Sequence, residues 1–207
     1  MTPLAIDLAR RGLAAWNIEY RRVGQEGGGW PGTLEDVAAA IDHLEAVEQV
    51  DTSRVATCGH SAGGHLALWL AARHRLPALA PGGTPSVIPI AAASQAGVVD
   101  LHRGDESGLG SGACAAFLGG AAAAVPDRYA VGSPAAHLPL GVPELLVHGG
   151  SDEIVPLTQS TDFARAAREA GDEVDEIVFT GGDHFDVVDV DHPTWHDTAG
   201  WLLARLD

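Results

Sequence analysis

Hydrophobic and polar positions along this 207-residue chain alternate between a helical and a strand period. Leu4, Leu8 and Leu13 follow Pro3 on one helical face, so a short opening helix is expected, with Thr2 as its cap and its end near Gly12. Residues 14–20 read as a strand. The Gly-rich loop of residues 25–32 then leads to Thr33, expected to cap a helix running to about Glu48. An apolar strand over 55–58 runs into a helix over 62–74 that carries Leu66, Trp69 and Leu70. Further strands are expected over 87–94, 144–148 and 174–179. Helices are expected over 158–171, with Phe163 and Ala167 inward, and over 194–206. Strands alternating with helices predict an α/β fold, a mostly parallel sheet with helices on both faces, in a single domain over 1–207. Residues 101–140, rich in Gly, Ala and Pro, read as a connecting or cap region over the sheet ends.

Charge and composition narrow the chemistry. A net charge of -16 repels phosphate backbones and anionic lipid, so nucleic-acid and membrane-surface partners are not expected and a small neutral molecule is. The apolar stretches stop well short of the ~20 residues that cross a bilayer. No basic segment followed by an apolar one opens the chain, which makes a cytoplasmic location the expectation. All 12 basic residues are Arg, and without Lys there is no Ser-Lys dyad, no Schiff base and no pyridoxal-phosphate anchor. Cys58 and Cys114 are too few for a disulfide framework or a Cys-based zinc site and read as reduced, buried thiols.

The chemistry-bearing motif is Gly59-His60-Ser61-Ala62-Gly63, set where a short apolar strand turns abruptly into a helix. Its flanking glycines are expected to allow a tight turn that lifts the Ser61 hydroxyl above the sheet, and the first N–H groups of the helix, Ala62 above all, then face a reacting carbonyl oxygen. His60 and Gly63 complete the expected oxyanion and substrate-binding set. The other reading of Ser61 is a helix cap in a Gly-rich turn. An acid and a base should follow in that order, each just beyond a strand. Asp152, in His148-Gly149-Gly150-Ser151-Asp152-Glu153, is the expected acid, with Glu153 as fallback. His184, in Gly182-Asp183-His184-Phe185, is the expected base. Such a triad needs no cofactor. His192 and His196 have the i, i+4 spacing of a metal pair, but with no third ligand and no H-E-x-x-H glutamate they read as a solvated helix start, and no metal is expected. His65, His137 and His148 read as packing or loop-fixing residues, and His60 and His148 as residues that could also shape the pocket.

These residues resemble the α/β-hydrolases that include small carboxylesterases, kynurenine-formamidase-like enzymes and the catalytic domains of prolyl-oligopeptidase-type peptidases. The resemblance covers nearly the whole chain. It rests on Asn17-Ile18-Glu19-Tyr20-Arg21, on Gly59-His60-Ser61-Ala62-Gly63-Gly64, on Tyr129 and Ser133-Pro134-Ala135, on His148-Gly149-Gly150-Ser151-Asp152 and on Gly182-Asp183-His184-Phe185. It implies Ser61 as nucleophile, His184 as base and then acid, Asp152 as its orienter, an acyl-enzyme released by water, and short acyl esters or formamides as substrates. It also implies a strand and a His-Gly-Gly loop ahead of the first helix, which would supply a second oxyanion N–H and pair between residues 14–20 and the nucleophile strand. This sequence starts at that helix, and Gly27-Gly28-Gly29-Trp30 reads as a loop, not a substitute. Two inner strand edges must then close on each other or stay open, and loss of one oxyanion donor costs ~10² to 10³ in turnover. Either the true start lies upstream of Met1, or the product is a weakened enzyme. A non-catalytic module of this fold, an acyltransferase and a peptidase are the alternatives.

Overall fold

The computed structural model describes residues 1–206. Four parallel strands form one sheet, β1 (Ala56–His60), β2 (Ala91–Gln95), β3 (Glu144–Gly149) and β4 (Val174–Phe179), in the spatial order β1-β2-β3-β4. The helices are α1 (Thr2–Arg10), α2 (Gly32–Asp42), α3 (Ala62–Ala72), α4 (Leu101–Glu106), α5 (Leu109–Leu118), α6 (Pro126–Gly132), α7 (Thr158–Ala170) and α8 (Pro193–Leu206). Strand side chains alternate between two cores, as a period of two requires. Ala92 and Leu146 pack against Leu68 and Ala72 of α3 and Phe163 and Ala167 of α7. Ala93, Leu145 and Val147 pack on the opposite side with Leu202 of α8 and Leu8 of α1. Helices therefore cover both faces, and the α/β expectation holds. Nearly all of α3 is buried, because α2 lies behind it and packs Leu34, Val37 and Ile41 against Leu66, Trp69 and Leu70.

The expected strand over residues 14–20 does not form. A strand exists only where a neighbour accepts its ladder, and β1 pairs with β2 alone. Ile18 and Tyr20 of this segment pack against the α2–α3 cluster while Trp16 stays 55% exposed. The two edges thus stay apart. β2 is also shorter than expected, since Pro89 has no N–H to give and Ile90 N–H, bonded to the Val55 carbonyl at 2.8 Å, is the first pairing before the strand proper.

Helix boundaries differ in smaller ways. Thr2 is the first helical residue rather than the cap, a position taken by Met1. α2 starts at Gly32 and ends at Asp42, with a 3₁₀ turn over His43–Ala46, so it stops short of Glu48. Thr33 does not cap it. Its hydroxyl donates to the Arg21 carbonyl (2.5 Å) and accepts from Gly29 N–H (3.0 Å), which ties the Gly-rich loop down. Residues 101–140 fold as α4, α5, α6 and a 3₁₀ turn around Leu101, Cys114, Leu118 and Tyr129. Cys58 and Cys114 are free thiols, pushed by burial up to about 12 and about 11; Cys58 is half-buried and Cys114 buried.

At the far end of β3 from the motif residues, Glu144 is fully buried and neither of its carboxyl oxygens has a hydrogen-bond partner among the described residues. Burial, and then the nearby Asp172 carboxylate, push its pKa up to about 9. The folded protein thus holds a proton that the unfolded chain releases above the ordinary carboxyl value of 4.5. Stability should be greatest below that value and fall as pH rises toward the folded pKa. At ~1.4 kcal/mol per unit, the loss between pH 5 and 8 is about 4 kcal/mol. Glu144→Gln is expected to remove most of this slope in urea unfolding across that range, and a parallel slope in both proteins would refute the assignment.

Candidate active site

Ser61 stands between β1 and α3 with φ 54° and ψ -118°, a backbone state that side chains with a Cβ rarely adopt and that costs about 1–3 kcal/mol. The surroundings hold it there. Ser61 N–H donates to the Gln95 carbonyl at 2.8 Å, and the Ser61 carbonyl accepts from His65 N–H at 3.1 Å. Gly59 is required, since a Cβ there would overlap the Gly63 carbonyl. Gly63 itself faces open space, so its Cα hydrogen is not what the turn needs. Gly64 is the second required glycine, because a Cβ on it would lie 2.7 Å from Ser94 Oγ and 3.0 Å from the Gly97 Cα. Ala62 opens α3, and its N–H, like the others of a first helical turn, has no carbonyl one turn back to bond.

Asp152 and His184 are brought together by two loops at the carboxyl ends of β3 and β4. Gly150 N–H donates to the Phe179 carbonyl (2.7 Å) and Ser151 N–H to the Gly182 carbonyl (2.8 Å). This approach is so close that a Cβ on Gly149 would overlap both the Gly182 and Asp183 carbonyls. His184 Nδ1–H then donates to Asp152 Oδ2 at 2.6 Å, while Asp152 Oδ1 accepts from Ile154 and Val155 N–H, both at 2.8 Å. Both side chains are almost wholly shielded from solvent. Burial pushes the Asp152 carboxyl up, but the donors from Val155, His184 and Ile154 outweigh it and hold the group below its usual value. With Nδ1 as donor, His184 Nε2 carries the lone pair a general base needs. Ser61 Oγ makes no hydrogen bond to His184 among the described residues, as is common before substrate draws a catalytic pair together. Glu153, the fallback acid, is exposed and makes no bond to His184.

Two histidines flank this pair. His148 is fully buried on β3; its Nδ1 accepts from the Ser160 hydroxyl (2.7 Å), and its Nε2–H lies 2.9 Å from the Val155 carbonyl and 3.2 Å from Asp152 Oδ2. It fixes the Asp152 loop instead of lining a pocket. His60 Nε2–H donates to the His184 carbonyl at 2.8 Å, with the two rings 4.5 Å apart. Burial holds its imidazole below the usual pKa, the bond to His184 opposing only in part. His60 therefore steadies the loop of the base. Gln95 was not singled out by sequence. Its carbonyl anchors Ser61 N–H while its buried amide donates to the Val187 carbonyl in the turn that follows His184. The available signal was a lone Gln ending the otherwise small and apolar run Ala91-Ala92-Ala93-Ser94.

Three other histidines have structural partners. His65 Nε2–H donates to the Gly132 carbonyl (2.7 Å) and burial pushes its pKa down to about 4. His137 bonds the Val131 carbonyl at 3.1 Å. His192 Nδ1 meets the Thr194 hydroxyl at 2.8 Å at the start of α8. No group of three or more His, Cys, Asp or Glu that could hold a metal ion occurs among the described residues. Beside Ala62 a cavity of about 300 Å³ opens, bordered by α3, α4, α5 and the loop after residue 20.

Known proteins share this arrangement of strands and helices. The chain is 26% identical over 186 residues to the protein YfhR of Salmonella typhi, covering 89% of this chain and 59% of that one. It thus spans less than two thirds of the length of that relative. The bifunctional GH43-CE protein of Bacteroides eggerthii superposes with a TM-score of 0.82 at 24% identity, over 99% of this chain and 29% of its own. An acetyl ester-xyloside bifunctional hydrolase from Caldicellulosiruptor lactoaceticus gives a TM-score of 0.77 at 23% identity, over 98% and 75%. The BD-FAE family profile matches residues 1–166, and with a serine on a strained strand-to-helix turn over a parallel sheet this chain belongs to the BD-FAE family, within the α/β-hydrolase superfamily.

Proposed function

We propose that this protein is a serine esterase that cleaves a small carboxylic ester through an acyl-enzyme. The observation that carries the reading is the shielded Asp152–His184 bond of 2.6 Å at the same sheet edge as the strained Ser61. Ser61 Oγ adds to the ester carbonyl carbon as its proton passes to His184 Nε2. The carbonyl electron pair moves onto oxygen, held by the Ala62 N–H at the start of α3 with Gly63 N–H beside it. When the pair returns, the bond to the alcohol oxygen breaks and His184 gives that oxygen its proton. Water then enters by the same steps and releases the acid. Asp152 stays ionised throughout and stabilises the imidazolium. Ester chemistry in a structural neighbour such as the Caldicellulosiruptor lactoaceticus hydrolase supports the substrate class. No described helix is long and apolar enough to cross a membrane; a cytoplasmic location and small neutral substrates, with no nucleic-acid or membrane partner, belong to this reading.

A fluorophosphonate serine probe tests it. Labelling of the wild type and none of Ser61→Ala is the expected result. A folded wild type that resists the probe would point to a non-catalytic module, and labelling that survives Ser61→Ala would assign the nucleophile elsewhere.

A further inference from the structure

The geometry points to an apolar acyl chain longer than acetyl as the acid half of the substrate, seated in the cavity beside Ala62; this inference rests on the esterase reading above. The direction follows from the site. The leaving alcohol must take its proton from His184, and the carbonyl oxygen lies at the Ala62 N–H, so the third substituent of the carbonyl carbon, the acyl chain, turns away from His184. The cavity borders Ala62, whose N–H holds that oxygen, while Ser61 itself is not part of its wall. Its wall includes Ala62, His65 and Leu66, one face of α3 at positions i, i+3 and i+4, and none of His60, Asp152 and His184 borders it.

Its chemistry is that of a hydrocarbon site. Leu66, Val98, Leu101, Leu109 and Phe117 supply its large apolar side chains, with Val23 beside them. Three of its polar groups have partners: Thr33 with Arg21 and Gly29, neutral His65 with the Gly132 carbonyl, and Arg22 with Glu19 at the exposed rim (2.9 Å), which leaves the Tyr20 hydroxyl and the Cys114 thiol as the other polar groups of the wall. A charged or strongly hydrogen-bonding acyl group would find few partners here, whereas an alkyl chain would lose only water. At about 300 Å³ the space lies at the small end of ligand pockets, ample for several methylenes and far larger than one methyl group needs.

Hydrolysis of p-nitrophenyl esters from acetate to octanoate reads this out, with the full chain as wild type, Val98→Phe and Phe117→Ala, and Ser61→Ala as the blank. In the wild type kcat/KM is expected to rise about fourfold per methylene beyond acetate until the cavity is full. Val98→Phe should cut hexanoate hydrolysis tenfold or more and leave acetate within about threefold, the acetate rate reporting that the variant is folded. Should Val98→Phe fail to fold, Phe117→Ala decides, its optimum moving to longer chains. Acetate as the best substrate of the wild type, or variants whose chain-length profiles match the wild type, would overturn the cavity assignment while leaving the esterase reading standing. Activity no higher than the Ser61→Ala blank at every chain length would remove the esterase reading and this inference together.

Discussion

Ser61→Gly is expected to lower kcat for ester hydrolysis by about 10⁶-fold and to raise the stability of the folded protein by about 1 kcal/mol. The loss follows from removal of the proposed nucleophile. The gain follows from the backbone. Ser61 is held at φ 54° and ψ -118°, where a Cβ is strained, and relief of about 1–3 kcal/mol exceeds the ~0.5–1 kcal/mol that a glycine costs through its greater freedom in the unfolded chain. Ser61→Ala keeps the Cβ and should be equally inactive without the gain. Steady-state kinetics and urea unfolding of the three proteins separate the two effects. A Ser61→Gly protein less stable than Ser61→Ala would mean that the turn is not strained by its side chain.

Asp152→Asn is expected to reduce kcat about 10⁴-fold. The side chain receives N–H donors from His184, Ile154 and Val155, with His148 at 3.2 Å. An amide in its place can keep the two backbone donors on its oxygen, but its NH₂ then faces His184 Nδ1. The imidazole answers by moving its proton to Nε2, the atom that should accept from Ser61, and the base is lost with the geometry intact. Stability should change as well. The Asp152 carboxyl is held below its usual pKa, so its contribution is present above the unfolded value of 3.8 and is lost as pH falls through the lower folded value. Asp152→Asn removes this part of the acid limb. Thermal unfolding from pH 3 to 8 and kcat at neutral pH check both parts; an Asn variant with wild-type turnover would exclude Asp152 as the orienting acid.

How much of this was legible beforehand depends on how far apart the deciding residues are. The strand–helix alternation, the strand over 174–179 and the helix ended by left-handed Gly171 were readable because period, caps and turn residues act within a few positions. The positions of Ser61, Asp152 and His184 at one sheet edge were readable for a related reason: each follows a strand, and a parallel sheet delivers strand ends to one edge. Residues 14–20 carry strand-like residues and still form no strand, because the partner that would accept their hydrogen bonds is another segment, and β1 pairs only with β2.

The motif that carries Ser61 shows the same division. Its residue types announced a tight turn from strand to helix, but which glycines that turn needs depends on what lies across from each, and contacts with Ser94 and Gly97 select Gly64 over Gly63. The contacts that hold Asp152 and His184, with His148 against Asp152, His60 on the His184 carbonyl and Gln95 reaching the Val187 carbonyl, join positions up to 124 residues apart. The cavity beside Ala62 is walled by segments separated along the chain in the same way. Local order, the alternation of elements and the strand ends at which chemistry can sit were determined by the sequence alone, because they follow from neighbours along the backbone. Strand pairing, required glycines, the supports of the Asp152–His184 pair and the shape of the cavity were decided by tertiary structure, because they depend on which distant surfaces meet and how closely they pack.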